Sequence, residues 1–225
     1  MLFCAVQLVC FCLGVTMVSL LQRAGFTAFK SPDSVGTLLL GTLSFQGVTW
    51  VLIYFFLRDH QVRWREAFGL QETRWPRALL GALMTVLVIL PVAWLLQQAS
   101  GIVLERVGWP PEEQTAVTLL AGAKAWWTRV YLGVFAVVLA PVAEEFIFRG
   151  VLYPFAKQLG YPRFAWIGVS FLFALIHMDA ARFVPLFALA LALTWLYERT
   201  DNLLAPITAH GLFNVANLVV LCFVK

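Results

Sequence analysis

Seven runs of apolar residues, most of them near twenty long, leave this chain few ways to fold. They cover residues 1–21, 35–57, 77–98, 127–158, 162–179, 182–198 and 203–224. A helix rises about 1.5 Å per residue, so about twenty apolar residues cross the roughly 30 Å of a bilayer's hydrocarbon. Apolar residues arriving in such long blocks are the signature of helices solvated by lipid. Composition agrees, since 61% of the 225 residues are hydrophobic and only 12% are charged, against about 25% charged in a soluble domain. So few charges cannot cover a water-soluble surface. The expected fold is all-α, a polytopic transmembrane helical bundle of about seven spans, with six to eight as the bounds. The fourth run exceeds one span, which leaves its second half room to bend or to follow the interface. The first run lacks the basic leader and cleavage site of a signal peptide and is too long for one, so it reads as a retained helix.

The formal charge of +4 raises the question of an acidic partner. Lys and Arg sit in short loops, which is the pattern of cytoplasmic loops and argues against nucleic acid. Residues 58–77 hold Arg58, Arg63, Arg65, Arg74 and Arg77, the densest basic cluster. That loop is expected inside, with the N-terminus inside and the 100–126 connection outside. The loops at 157–163 and 198–202 then return to the cytoplasm, and Trp109, Trp126 and Trp127 mark the outer interface. The expectation is an integral multi-pass protein of a bacterial cytoplasmic membrane, with membrane lipids as its surroundings. Cys4, Cys10, Cys12 and Cys222 all lie in apolar stretches without C-x-x-C spacing and read as small hydrophobes. The one long connection, 100–125, carries Pro110, Pro111, Glu112 and Glu113, and either lies on the membrane surface or gates access. No internal repeat and no soluble domain is visible. Residues 1–110 read as N-terminal helices with the basic loop, and 111–225 as the part that carries the chemistry.

A charged side chain inside an apolar helix costs roughly 2.5–3.5 kcal/mol on insertion scales, so such groups face the protein interior and mark function. Here they are clustered in the C-terminal half. The fourth run reads Ala140-Pro-Val-Ala-Glu144-Glu145-Phe-Ile-Phe-Arg149-Gly150, the fifth ends Phe173-Ala-Leu-Ile-His177, and the last contains His210-Gly-Leu-Phe-Asn214-Val-Ala-Asn217. Glu145 and Arg149 are four apart, with the acid nearer the N-terminus, the favourable order for an ion pair. Glu144 lies on the neighbouring face, turned by about 100°. Arg149 is then expected to neutralise Glu145, leaving Glu144 free as a general base. His210, Asn214 and Asn217 form one stripe. At about 1.5 Å per residue, Glu144 lies roughly 20 Å from Lys157, His177 roughly 21 Å from Arg163, and His210 roughly 12 Å from Asn202. The three can therefore meet in one cavity. A lone intramembrane histidine is often a helix–helix hydrogen-bonding group, and the Glu145–Arg149 pair reads as structural. Two carboxylates, two imidazoles and an amide together are harder to explain as packing, because each unpaired group is expensive.

In order and spacing, Glu144-Glu145-x-x-x-Arg149, Phe173-x-x-x-His177 and His210-x-x-x-Asn214 resemble the three signature motifs of the CAAX prenyl protease type II family, also called CPBP or Abi. The approach to the last motif, Leu196-Tyr-Glu-Arg-Thr-Asp-Asn-Leu-Leu-Ala-Pro206-Ile-Thr-Ala-His210, is similar too. The resemblance covers roughly residues 127–220 and implies an intramembrane endopeptidase with a cavity open to the cytoplasm. It implies that Glu144 and His177 activate water, that His210 and Asn214 stabilise the oxyanion, and that Glu145 and Arg149 support the geometry. The substrate it implies is a membrane-associated peptide or lipidated protein, of which a prenylated CAAX terminus is one form. No cofactor is expected. Two carboxylates and two imidazoles are also a donor set that zinc accepts, so zinc at this cluster stays open, although H-E-x-x-H is absent. Two other functions use the same residues. A proton-coupled transporter needs buried acids but usually shows two related halves, whereas the polar residues here occupy one. A non-catalytic membrane partner, such as a bacteriocin-immunity protein, would keep the fold without cleavage.

Overall fold

The computed structural model describes residues 2–31, 34–70, 75–109, 115–123 and 125–223. Pro110, Pro111, Glu112, Glu113 and Arg74 lie outside the described residues. Helices follow the apolar runs throughout. In chain order they are α1 (Leu2–Arg23), α2 (Val35–Thr42), α3 (Val48–Asp59), α4 (Trp64–Ala67), α5 (Trp75–Arg106), α6 (Thr115–Gly122), α7 (Trp126–Val134), α8 (Ala140–Glu145), α9 (Tyr153–Gln158), α10 (Pro162–Leu175), α11 (Ala180–Thr200) and α12 (Leu204–Phe223). Three π-helical segments, Leu43–Gly47, Phe135–Leu139 and Phe146–Leu152, join α2 to α3, α7 to α8 and α8 to α9 without a break in the helical path.

Among the described residues five stretches are long and apolar enough to cross a membrane: Ala5–Arg23, Val35–Asp59, Trp75–Arg106, Trp126–Gln158 and Ala180–Thr200. Pro162–Leu175 and Leu204–Val220 are shorter apolar helices. Large apolar side chains point outward along these helices, as at Leu95, 72% exposed, and Val88, 67% exposed. Such a surface is stable in lipid and not in water. The chain is a helical integral membrane protein.

Two compact units make up the chain. One comprises Met1–Val62 with Gln114–Phe135, and the other Arg63–Glu113 with Ala136–Lys225. In the first, small residues let helices approach closely: a Cβ on Gly14 would collide with the side chain of Ser44. Gln7 Nε2 donates to the carbonyl of Phe45 at 2.9 Å, a carbonyl in the π-helical turn of the second apolar stretch. Tyr131 of α7 hydrogen-bonds Thr42 through its hydroxyl and also reaches the Leu38 carbonyl.

The second unit is built on α5, α11 and α12. Its core joins Ala78, Ala82, Val86, Ile89 and Ala93 of α5 to Leu189, Leu193 and Leu196 of α11 and Ala205, Ala209 and Phe213 of α12. The three alanines on α5 repeat at helical spacing and thin its inner face, so that α11 and α12 seat closely against it. Three expected boundaries move, the first being the end of the third apolar run, which continues as helix to Arg106 into the connection expected from residue 100. The fifth apolar run ends as a helix at Leu175, because Met178 adopts a left-handed backbone, φ 51°, that no helix continues through. The tight turn expected at 179–182 falls at 176–179 instead, since Asp179 caps α11 by accepting the Arg182 backbone N–H at 3.0 Å.

A second left-handed position fixes the opposite end of the unit. Gly69, φ 64°, lies directly against the carbonyl of Asp201, where no side chain would fit. The Phe68 carbonyl accepts from Leu203 N–H at 3.0 Å, and the Phe68 ring, 3% exposed, packs edge-on against Phe146 at 4.6 Å. That ring adjoins the first acidic motif.

Candidate active site

The glutamate pair sits on a short α-helical piece, Ala140–Glu145, between two π-helical ones. Pro141 explains much of the local register. It has no N–H, so the carbonyl it would meet in an α-helix, Val137, and the one it would meet in a π-helix, Ala136, both lose that partner. Helix α12 occupies this gap. Asn214 Nδ2 donates to the Ala136 carbonyl at 2.7 Å. One turn away, Gly211 faces the Val137 carbonyl so closely that a Cβ would lie 2.8 Å from it. The His-Gly-x-x-Asn stretch is thus seated on carbonyls that a proline uncovered.

Arg149 is fully buried and satisfied on all three nitrogens. Nη1 donates to Glu145 Oε1 at 2.9 Å, Nη2 to the Ala190 carbonyl at 2.9 Å, and Nε to Thr194 Oγ1 at 3.2 Å. Thr194 Oγ1 in turn donates a hydrogen bond to the Ala190 carbonyl at 2.9 Å. These bonds offset much of the cost of desolvating the guanidinium. Glu145 Oε1 accepts a second bond, from His210 Nδ1 at 2.9 Å, while its Oε2 is buried without a partner.

Glu144 stands differently. Its side chain keeps 18% exposure against none for Glu145, and its Oε2 lies 3.8 Å from His210 Nε2, too far for a hydrogen bond. His210 therefore lies between the two carboxylates, bonded to one and facing the other. The groups acting electrostatically on Glu144 are His210, His177, Glu145 and Arg149.

His177 lies two residues beyond α10, in the turn that Met178 and Asp179 create. Its Nδ1 is 2.7 Å from the Phe173 carbonyl. A carbonyl only accepts, so Nδ1 carries the proton, and in the neutral ring Nε2 presents a lone pair. Phe173 itself is fully buried. Its ring lies 4.8 Å from the ring of His177 and 5.7 Å from that of His210, centroid to centroid. The Arg149 guanidinium sits 4.9 Å above it, and Phe148 meets it edge-on at 5.1 Å.

All six residues singled out by the motifs, Glu144, Glu145, Arg149, His177, His210 and Asn214, are thus gathered within one unit. Asn217 turns elsewhere, accepting from Trp94 Nε1 at 3.0 Å and so tying α12 to α5. Sequence reasoning missed the parts played by Thr194, Gly211 and Pro141, and the ring of Phe173 as the shared neighbour. A proline three residues before Glu144 was the one legible hint that backbone carbonyls there would need outside donors. Among the described residues no three His, Cys, Asp or Glu side chains group as metal ligands. Glu145 Oε1 is already shared by a guanidinium and an imidazole, and the His177 Nδ1 is held by a carbonyl.

Residues 125–216 match the family described as type II CAAX prenyl endopeptidase Rce1-like, the family that the three motifs resemble. A curated relative, UPF0177 protein YaiF of Lactococcus lactis subsp. lactis (strain IL1403), is 36% identical over 81 residues, 34% of this chain and 34% of its own length. The similarity thus spans about a third of that relative. No solved structure matches the chain.

Proposed function

We propose that this membrane protein, whose residues 125–216 match the type II CAAX prenyl endopeptidase family, is an intramembrane endopeptidase that hydrolyses a peptide bond of a membrane-associated substrate. The observation that carries the reading is the division of the acidic pair. Glu145 is closed off by Arg149 and His210 at 2.9 Å each, whereas the Glu144 carboxylate stays partly exposed at 18%, faces His210 at 3.8 Å and lies within the electrostatic reach of His177.

In this reading the attacking water binds between the Glu144 carboxylate and the lone pair on His177 Nε2. Glu144 takes its proton as the water oxygen bonds to the scissile carbonyl carbon. The carbonyl oxygen becomes an oxyanion and meets two donors, the second N–H of the Asn214 amide and His210 Nε2. Because Nδ1 of His210 already donates to Glu145, Nε2 can donate only from a doubly protonated ring. Carboxylates lie at both of its nitrogens to balance that charge. Glu144 then returns the proton to the leaving amine as the C–N bond breaks. Glu145 and Arg149 hold His210 in place and touch no reacting atom. The cavity opens toward the cytoplasm, and a prenylated CAAX-type terminus is one form of the substrate.

The test is Glu144→Gln in proteoliposomes with an internally quenched, lipidated peptide. Turnover should fall at least about 100-fold, within the range that a general base supplies, while the melting temperature holds. Unchanged turnover would remove Glu144 from the base role. Exhaustive chelation should leave activity intact, and loss restored by zinc would replace this mechanism with a metal-dependent one.

A further inference from the structure

At the opposite end of α10 from His177, the second unit holds a cavity of about 240 Å³ that the proposed hydrolysis does not use. Tyr153, Trp166, Trp195, Pro162, Arg163 and Glu198 line it. That is below the roughly 300–1,000 Å³ of sites for drug-sized ligands and suits a small polar group attached to something larger outside. The walls are aromatic and the rim is ionic. Trp166 spends its indole N–H on the Leu191 carbonyl at 3.0 Å, so its ring is fixed as a wall.

The charges decide what fits. Glu198, the one acidic lining residue, is neutralised by Lys157 Nζ at 2.6 Å. Lys157 also lies over the Tyr153 ring at 5.8 Å, and Arg199 over the Trp195 ring at 5.6 Å. Arg163 is exposed and makes no hydrogen bond or ion pair among the described residues. The rim therefore carries an excess of positive charge, with one guanidinium unspent. An aromatic cage with a carboxylate would ordinarily suit a quaternary ammonium, but here the carboxylate is taken and the surplus charge repels a cation. The surroundings are those of an interface. Tyr161 is 66% exposed, Phe164 75% and Leu159 63%, and all three lie where an apolar helix begins, the usual level of aromatic belts.

We propose that this cavity binds the headgroup of an anionic phospholipid. Arg163 holds the phosphate, with Arg199 adding charge. The glycerol rests among Trp166, Trp195 and Tyr153, and the acyl chains run along the lipid-facing side of α10. Guanidinium matches phosphate in geometry and charge, and basic pockets between membrane helices take anionic headgroups. The site is separate from the glutamate cluster and does not depend on the chain being a protease.

Native mass spectrometry of the full chain, released from micelles containing equal phosphatidylglycerol and phosphatidylcholine, tests the assignment. The wild type should retain phosphatidylglycerol at least about tenfold over phosphatidylcholine. Arg163→Gln should abolish that preference at an unchanged melting temperature, and Arg163→Lys should restore part of it. Trp195→Leu, at an exposed position, provides a second variant with the same expected loss should Arg163→Gln fail to fold. Dioctanoyl phosphatidylglycerol should raise the melting temperature where the same concentration of inorganic phosphate does not. Equal retention of the two lipids, undiminished preference in both variants, or an equal shift with phosphate would each overturn the proposal. The last result would mark a free-phosphate site.

Discussion

Gly211→Ala is the sharpest probe of how the last helix is seated. The added methyl would lie 2.8 Å from the Val137 carbonyl oxygen, whereas ordinary contact begins at 3.4 Å. The obstacle is backbone, in a helix whose path Pro141 and its π-helical flanks already determine, so α12 must back away by about 0.6 Å. The same movement stretches the Asn214–Ala136 bond from 2.7 Å to about 3.3 Å, past the usual limit of about 3.2 Å for N–H···O. It takes His210 from 2.9 Å of Glu145 to about 3.5 Å, where a hydrogen bond no longer counts. Overpacking of this kind costs about 1–3 kcal/mol in stability, so the protein should still fold and melt a few degrees lower. Misplacement by a fraction of an ångström at two groups proposed to face the oxyanion should lower kcat by about 10- to 100-fold, with KM little changed. Initial rates on the quenched peptide in proteoliposomes, paired with a melting curve, read both effects. A folded Gly211→Ala protein with full kcat would show that His210 and Asn214 are not held to function by this contact.

Three further outcomes follow from the buried charges. Arg149→Gln leaves the buried Glu145 with His210 as its one charged partner and should cost about 3–5 kcal/mol, seen as loss of monodisperse protein or a collapsed melting temperature; a normal melt would mean the pair is not what holds α8 to α11. Thr194→Val removes the acceptor for Arg149 Nε at no change in bulk and should destabilise by about 1–3 kcal/mol, with turnover largely kept; a neutral melt would place another acceptor there. Glu145→Gln should depress the melting temperature more than Glu144→Gln does, while Glu144→Gln costs more turnover. The reverse order would mean the two carboxylates exchange roles.

How much of this was legible depends on whether a feature is local. The helices follow from apolar length alone, because lipid leaves the backbone no other partner. The Glu145–Arg149 pair follows from i,i+4 spacing and is present at 2.9 Å, even though a π-helical segment begins between its members. The third apolar stretch was opaque: no motif marks α5, and its alanine face acquires meaning only beside α11 and α12. His177 reads as a residue within a span, but the helix stops before it, since Met178 takes a left-handed conformation that sequence rarely signals outside glycine and asparagine. Reading Glu145 as neutralised by Arg149 alone missed His210. A bond between residues 65 apart in sequence depends on how α12 docks, and that docking rests on Gly211 and on the carbonyls that Pro141 leaves open.

Phe173 bears on how such a site can change over generations. One benzyl ring adjoins both imidazoles, the guanidinium and Phe148, so replacing it perturbs four neighbours in a single step. Substitutions at those neighbours should then combine non-additively, each being tolerated or not according to what the ring still fills. Lipid-facing positions such as Val88 and Leu95 can drift one at a time, because the bilayer adapts to any apolar shape. At Phe173 no fluid is present to absorb the difference. A smaller side chain there opens a void shared by four groups, and a larger one pushes them apart together. A lineage that altered the chemistry of this site would have to pass through position 173, or leave the ring untouched and work around it.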